Sequence, residues 1–88
     1  MDTTDIPVLY VKAGCPYCQK ASKFLNENGI SFREREVRHD EDARDELEDI
    51  SGQAQVPTLN WHGAVLPDFD VDELRSFLRE KGISYEES

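Results

Sequence analysis

Apolar and polar residues follow one another in patterns that predict seven secondary-structure elements. Residues 6–11 form a nearly continuous apolar run, which is typical of a strand covered on both faces. From residue 16 to residue 28 the apolar positions recur at helical spacing, and Gly29 suits the left-handed position beyond the helix end. The inward stripe of this first helix is expected to contain Cys18, Ala21, Phe24 and Leu25.

The middle of the chain predicts an edge strand, a second helix and a hairpin. Residues 31–37 carry charged side chains on both faces, as edge strands often do to discourage sheet-to-sheet association. A helix is expected after Asp40, since acidic residues occupy its first turn. Its inward residues are expected to be Ala43, Leu47 and Ile50. Residues 58–66 are interpreted as two short strands joined by a turn at His62-Gly63.

The last helix has the clearest start signal. Asp70 and Glu73 stand at the spacing of a capping box, in which each side chain bonds the backbone of the other. The helix is expected to end before Gly82, with residues 83–88 forming a loose tail. Its predicted core-facing residues are Val71, Leu74, Phe77 and Leu78.

The element order is therefore β-α-β-α-β-β-α, which predicts an α/β fold. Two parallel strands joined by a helix, followed by an antiparallel hairpin, form a mixed four-stranded sheet flanked by three helices. With 88 residues, of which 38% are hydrophobic, the chain is predicted to be a single domain over 1–88 with its core at about 6–81.

Charge narrows the function classes. The formal net charge is −9, and from His39 onward acidic residues greatly outnumber basic ones. Such a surface repels phosphate, so nucleic acid is not an expected partner. No apolar stretch is long enough to cross a membrane, and the N-terminus lacks the pattern of a secretory signal. We expect a monomer in the reducing cytoplasm, without a membrane partner.

The segment KAGCPYCQK, residues 12–20, holds both cysteines of the chain. A disulfide staple would close so short a loop that it would constrain little of the unfolded chain. A zinc site would need four ligands, so both cysteines would have to converge with His39 and His62. A CxxC pair in a reducing compartment is more often a working redox pair. We therefore expect no metal.

The spacing also predicts different roles for the two sulfurs. Proline favours the first helical position, so Pro16 places Cys15 at the helix start. There the unpaired amides of residues 17 and 18, together with Lys12, are expected to stabilise the thiolate of Cys15. Cys18 lies one turn further in, where burial opposes ionisation. Cys15 is thus predicted to attack a disulfide and Cys18 to resolve the product.

These residues resemble the glutaredoxins of the thioredoxin-fold superfamily. The resemblance rests on KAGCPYC after a buried strand and on Val56-Pro57, about forty residues later, before another strand. It implies a thioredoxin-like fold and thiol-disulfide oxidoreductase activity. It also implies that Cys15 is the nucleophile, that Cys18 is the resolving cysteine and that Tyr17 lines the site. Val56 would pair with the cysteine of glutathione through its backbone, and Pro57 would be the cis-proline of the family.

Further contacts are implied around the bound glutathione. Lys12 matches a lysine near the glycine carboxylate, and Asp70 matches an aspartate near the γ-glutamyl group. Gln53 occupies a position where many relatives have arginine. The chain departs from the family where Leu66-Pro67-Asp68-Phe69 replaces the usual Gly-Gly before the last helix, and Val71 replaces a second acid. Proline and a carboxylate there are expected to narrow the groove and to repel an anionic tripeptide.

Three functions follow from the resemblance. The leading one is reduction of protein disulfides or glutathione mixed disulfides, with glutathione as the reducing cosubstrate. The second is a glutaredoxin-like electron donor, for example to ribonucleotide reductase, recharged by thioredoxin reductase. The third is an iron–sulfur carrier in which two protomers and glutathione supply the ligands. The rigid Pro16 and the competing thiol of Cys18 weigh against a bound cluster.

Overall fold

The fold was obtained as a computed structural model that describes residues 6–82 of the 88-residue chain. Seven elements follow one another in the predicted order and confirm the α/β assignment. They are β1 (Val8–Val11), α1 (Pro16–Glu27), β2 (Arg33–Glu36), α2 (Glu41–Ser51), β3 (Thr58–Trp61), β4 (Ala64–Leu66) and α3 (Val71–Glu80). The predicted loose tail, residues 83–88, lies outside the described part. Within residues 6–82, no helix has the length and apolar character needed to cross a membrane.

The four strands form one mixed sheet in the order β2-β1-β3-β4. β1 runs parallel to β2, whereas β1 and β3, and β3 and β4, pair antiparallel. The arrangement confirms that β2, with its charged sequence RERE, is an edge strand. β1 is central, so its carboxyl end delivers the cysteine segment between two neighbouring strands.

Both of the first two strands begin later than predicted. β1 begins at Val8 rather than at residue 6, because Pro7 has no amide to donate to a neighbouring strand. The carbonyl of Pro7 still accepts from the amide of Arg33 at 2.9 Å, which sets where β2 begins. β2 covers Arg33–Glu36 instead of residues 31–37.

Two apolar clusters cover the two faces of the sheet. On one face Leu9 and Val11 of β1 pack with α1 and α3. On the other face Tyr10 packs against Val37 and the inward side of α2. The predicted stripe of α1 is buried in full, since Cys18, Ala21, Phe24 and Leu25 are the buried residues of that helix. β1 is therefore covered on both faces, as its apolar run predicted.

The hairpin turns where the sequence indicated. His62 and Gly63 both have positive φ angles, of 53° and 95°, and the Gly63 amide donates to Asn60 Oδ1 at 2.9 Å. Trp61, at the end of β3, is half-buried against the cluster that contains Leu9. This placement agrees with a packing role for the indole.

The acidic helix α2 is tied to the sheet by one buried phenol. Tyr10 Oη donates to Glu46 Oε1 at 2.6 Å, and Arg35 Nε lies 3.5 Å from the same oxygen. Burial and the hydrogen bond with the Glu46 carboxylate raise the pKa of Tyr10 above its ordinary value, so the phenol keeps its proton. The outward face of α2 stays acidic while one of its carboxylates anchors the helix.

Candidate active site

Cys15 caps the first helix with its sulfur. Its backbone is extended (φ −86°, ψ 115°), Pro16 begins the helix, and Cys15 Sγ accepts a hydrogen bond from the amide of Cys18 at 3.3 Å. The structure thus confirms the predicted position at the helix start and supplies one of the two expected amides. The amide and the positive end of the helix dipole both favour negative charge on this half-buried sulfur.

Cys18 lies in a different environment. Only 3% of its surface is exposed, and it belongs to the apolar cluster between the sheet and α1. Burial raises the pKa of the Cys18 thiol to about 12, with further contributions from its hydrogen bond with Cys15 and from the charges of Cys15 and Glu34. A backbone hydrogen bond from Lys12 acts in the opposite direction. At neutral pH Cys18 is therefore a thiol, and the two cysteines differ in burial as predicted.

The loop before Cys15 is fastened to the edge strand by Glu36. Its carboxylate accepts hydrogen bonds from the amides of Ala13 (3.2 Å), Arg38 (2.8 Å) and His39 (2.9 Å). The His39 ring nitrogen Nδ1 lies 3.0 Å from the same carboxylate. Partial desolvation opposes ionisation, but these hydrogen bonds lower the pKa of Glu36 to about 2. Sequence reasoning missed this anchor because it joins residues that lie 23 positions apart.

A groove of about 170 Å³ lies next to the helix start. It brings together four residues that the resemblance assigned to substrate binding, which are Tyr17, Val56, Pro57 and Asp70. The Val56-Pro57 peptide bond is cis, as the resemblance implied. The Tyr17 ring is the one large apolar side chain that stands exposed within residues 6–82, at 58%. These four residues form one surface beside the cysteines.

The rim of the groove is acidic. Asp68, Asp70 and Glu73 line it, and none of its lining residues is a lysine, an arginine or a histidine. Asp70 and Glu73 form the predicted capping box, with Asp70 Oδ1 accepting from the Glu73 amide at 2.9 Å. Asp68 is exposed, and its φ of 47° lies in the left-handed region that favours glycine. An aspartate therefore stands in a conformation for which the family's usual glycine would be better suited.

Gln53 does not reach this groove. Its amide nitrogen donates to Ser51 Oγ at 2.9 Å and to Thr58 Oγ1 at 3.2 Å, and its oxygen accepts from the Gln55 amide. The side chain therefore braces the loop before Pro57 from within. Its assignment to substrate binding stays a prediction, and the structure places its polar atoms on the protein.

Lys12 borders a second and larger cavity of about 570 Å³, between α1 and the edge strand. This cavity also touches Cys18 and shares no lining residue with the acidic groove. Its charged lining is mixed and consists of Lys12, Lys23, Glu27, Glu34 and Glu36. Of the residues predicted to bind substrate, Lys12 is thus separated from the four that line the groove.

Neither histidine is recorded in contact with a cysteine in the described part of the chain. His39 pairs with Glu36, and His62 occupies the hairpin turn. In the part of the chain that the structure describes, no three side chains among His, Cys, Asp and Glu are arranged to hold a metal ion.

Comparison with known proteins identifies the family. The family model described as glutaredoxin matches residues 8–65, which contain both cysteines and the cis-proline. The chain belongs to the glutaredoxin family. A glutaredoxin-like 8.6 kDa protein from the rubredoxin operon of Clostridium pasteurianum is 28% identical over 82% of this chain and 96% of its own length. Glutaredoxin 3 of Escherichia coli strain K12 is 35% identical, over 58% of this chain and 61% of its own length.

Solved structures agree with the fold. The crystal structure of the thioredoxin-like protein BC3987 superposes with a TM-score of 0.75 at 28% identity, covering 82% of this chain and 99% of that chain. The fold is thus thioredoxin-like. As a glutaredoxin, the protein is a thiol-disulfide oxidoreductase.

Proposed function

We propose that this glutaredoxin reduces disulfides by a two-cysteine mechanism in which Cys15 attacks and Cys18 resolves. One observation carries the proposal. The sulfur of Cys15 takes the place of a helix cap and accepts the Cys18 amide at 3.3 Å, whereas the sulfur of Cys18 is buried and stays protonated. A thiolate is the nucleophile in disulfide exchange, so the helix start favours attack by Cys15.

The reaction proceeds through a mixed disulfide. The Cys15 thiolate attacks one sulfur of the substrate disulfide, and the other sulfur leaves as a thiolate. Cys18 then loses its proton and attacks Cys15 Sγ, which releases the second substrate thiolate and leaves Cys15 and Cys18 joined by a disulfide. Two reducing equivalents from an external donor restore both thiols.

The substrates are protein disulfides or glutathione mixed disulfides. The groove beside the cis-proline supports this choice, since an extended peptide can lie against the exposed backbone of Val56 and the ring of Tyr17. Glutathione is the proposed electron donor, in keeping with the family. Lys12, which lines the larger cavity together with Cys18, is the proposed partner of its glycine carboxylate.

One observation favours a second electron source. Glutathione carries a net negative charge, and the three carboxylates at the groove rim face the region that its γ-glutamyl end would occupy. A glutaredoxin-like protein recharged by thioredoxin reductase does not need this contact. The acidic rim therefore supports thioredoxin reductase as the alternative donor, with the same attack by Cys15.

Turnover of one disulfide substrate with two reducing systems separates the donors. Glutathione with glutathione reductase and NADPH is expected to sustain multiple turnovers. If only thioredoxin reductase with NADPH does so, the second donor is correct. If neither system oxidises NADPH faster with the unaltered protein than with a variant that lacks Cys15, the proposed activity is wrong.

Replacement of the second cysteine tests the division of labour. Cys18→Ser is expected to keep activity toward glutathione mixed disulfides, because external glutathione can resolve the intermediate, and to lose activity toward protein disulfides. Steady-state rates with both substrate types measure this. Equal losses on both substrates would contradict separate roles for the two thiols.

A further inference from the structure

The resolving step needs a proton acceptor. Cys18 is a buried thiol, and burial together with its neighbours raises its pKa to about 12. The contribution of Cys15 to this shift is lost once Cys15 is part of the mixed disulfide, but the burial of Cys18 remains and keeps most of it protonated at neutral pH, which makes the unassisted attack on Cys15 slow. A base close to Cys18 would remove this limitation.

The cavity between α1 and the edge strand places a carboxylate near this thiol. Ser22 lies one turn after Cys18 on the same face of α1, and both line the cavity. Ser22 Oγ donates a hydrogen bond to Glu34 Oε2, so the Glu34 carboxylate lies over this face. The negative charge of Glu34 also contributes to the raised pKa of Cys18.

The position of Glu34 is set by the sheet. Glu34 is paired with Leu9 of the central strand, and its neighbour two residues on, Glu36, lines the same cavity. Because side chains alternate along a strand, these two glutamates share one face of β2. The pairing of β2 with β1 thus directs Glu34 toward α1.

The other two carboxylates around the cavity have partners of their own. Glu36 accepts three backbone amides and pairs with His39. Glu27 pairs with Lys23 at 3.9 Å. Lys12 presents an ammonium group, which has hydrogen-bond donors and no acceptor. Glu34 is the carboxylate of this cavity that is held by a single side-chain hydroxyl and acts on Cys18.

We propose, on the basis of the dithiol function above, that Glu34 accepts the proton that Cys18 releases when it attacks the mixed disulfide. The S–H bond of Cys18 breaks, its proton passes to the Glu34 carboxylate, and its electron pair forms the bond to Cys15 Sγ. The bond between Cys15 and the substrate sulfur breaks, and that sulfur leaves as a thiolate. The two cysteines are oxidised to a disulfide, the substrate is reduced, and Glu34 returns its proton to solvent.

Stopped-flow reaction of the reduced protein with Ellman's reagent tests this step by itself. The reagent is an aromatic disulfide whose thiolate product is coloured, so the attack of Cys15 releases one equivalent and the attack of Cys18 releases a second. Glu34→Gln is expected to slow the second phase by roughly 100-fold, as for loss of a general base, and to leave the amplitude of the first phase intact. Glu27→Gln removes the same charge from the same cavity and is the matched control.

The pH dependence separates proton transfer from a structural role. In Glu34→Gln the rate of the second phase should rise about tenfold per pH unit around neutrality, since it then follows the ionisation of Cys18 itself, whereas the unaltered protein should show a shallower slope. Ser22→Ala, which leaves the carboxylate less well held, should slow the phase by less. A second phase in Glu34→Gln that is unchanged or faster overturns the proposal. A missing first phase in the unaltered protein would instead overturn the dithiol function.

Discussion

The N-termini of α1 and α3 share the same capping geometry but serve different purposes. In each case a side chain at the capping position accepts the amide three residues further on. Cys15 Sγ accepts from Cys18 at 3.3 Å, and Asp70 Oδ1 accepts from Glu73 at 2.9 Å. A carboxylate at such a position stabilises the helix and is chemically inert. A thiolate there receives the same electrostatic support but remains a nucleophile, so α1 has a reactive cap where α3 has a structural one.

The surroundings of the two starts differ as well. The first turn of α1 has no acidic residue, whereas that of α3 contains Asp72 and Glu73. Acids in the first turn stabilise a helix through its dipole but would repel a thiolate cap. Because the first turn of α1 contains no acidic residue, the positive end of this helix is available to stabilise a negative charge on the sulfur of Cys15.

Replacement of the reactive cap, Cys15, by an inert residue is expected to have the largest effect, which is the loss of disulfide exchange activity. Cys15→Ser should abolish disulfide exchange, because the one remaining cysteine of the chain, Cys18, is buried. Cys15→Asp should be equally inactive, yet its free energy of unfolding should be at least that of the original protein, since a carboxylate is a strong cap. Turnover and denaturant unfolding of both variants measure this. A loss of stability in Cys15→Asp would show that the sulfur is not in a cap-like environment.

Removing the structural cap should affect stability more than chemistry. Asp70→Ala is expected to lower the free energy of unfolding by about 1 kcal/mol, because the Glu73 amide loses its acceptor. Asp72→Ala, in the same exposed turn but outside the capping box, should cost less. Urea titrations of the two variants provide the comparison. Equal losses would mean that the charge in the first turn matters more than the cap.

The acidic rim next to α3 should influence substrate choice to a smaller extent. Asp68→Asn is expected to raise kcat/KM for glutathione mixed disulfides by roughly threefold, since exposed charge pairs are worth less than about 1 kcal/mol. The gain should shrink as salt is added. Asp49→Asn, on the outward face of α2, is the control for net charge. The same gain in both variants would assign the effect to overall charge instead of the groove.

The smallest expected effect, on the free energy of unfolding, concerns Glu36, which holds the loop before α1 through the amide of Ala13. Folding lowers the pKa of Glu36 from 4.5 to about 2, so its ionised form stabilises the folded state above pH 4.5, and this contribution is lost as the pH falls toward 2. Glu36→Gln should therefore be slightly less stable at neutral pH and lose less stability between pH 4.5 and 2. Unfolding curves at several pH values measure the difference. Parallel losses in both proteins would contradict the anchor.

Local pattern was sufficient for most of the fold. The apolar stripe of α1, the charged edge strand, the hairpin turn and the capping box of α3 each depend on neighbouring residues, and the structure confirms them. The site is harder because its parts come from distant segments. The contacts of Glu34 with Ser22 and of Glu36 with Ala13 arise from strand pairing, which no local signal reports. Gln53 was assigned to the ligand through the resemblance alone, and no local signal indicated that its side chain bonds Thr58.

One hydroxyl that no substrate would touch sets the spacing between the two walls of the groove. Thr58 Oγ1 is fully buried, donates to the carbonyl of Gln55 at 2.7 Å and accepts from the Gln53 side chain and, at 3.4 Å, from the Asp68 amide. The segment that leads to the cis-proline and the segment that leads to α3 thus meet on a single oxygen atom. Replacement of the Thr58 hydroxyl would remove the contacts of both segments at once, so a buried residue outside the groove controls the width of its entrance.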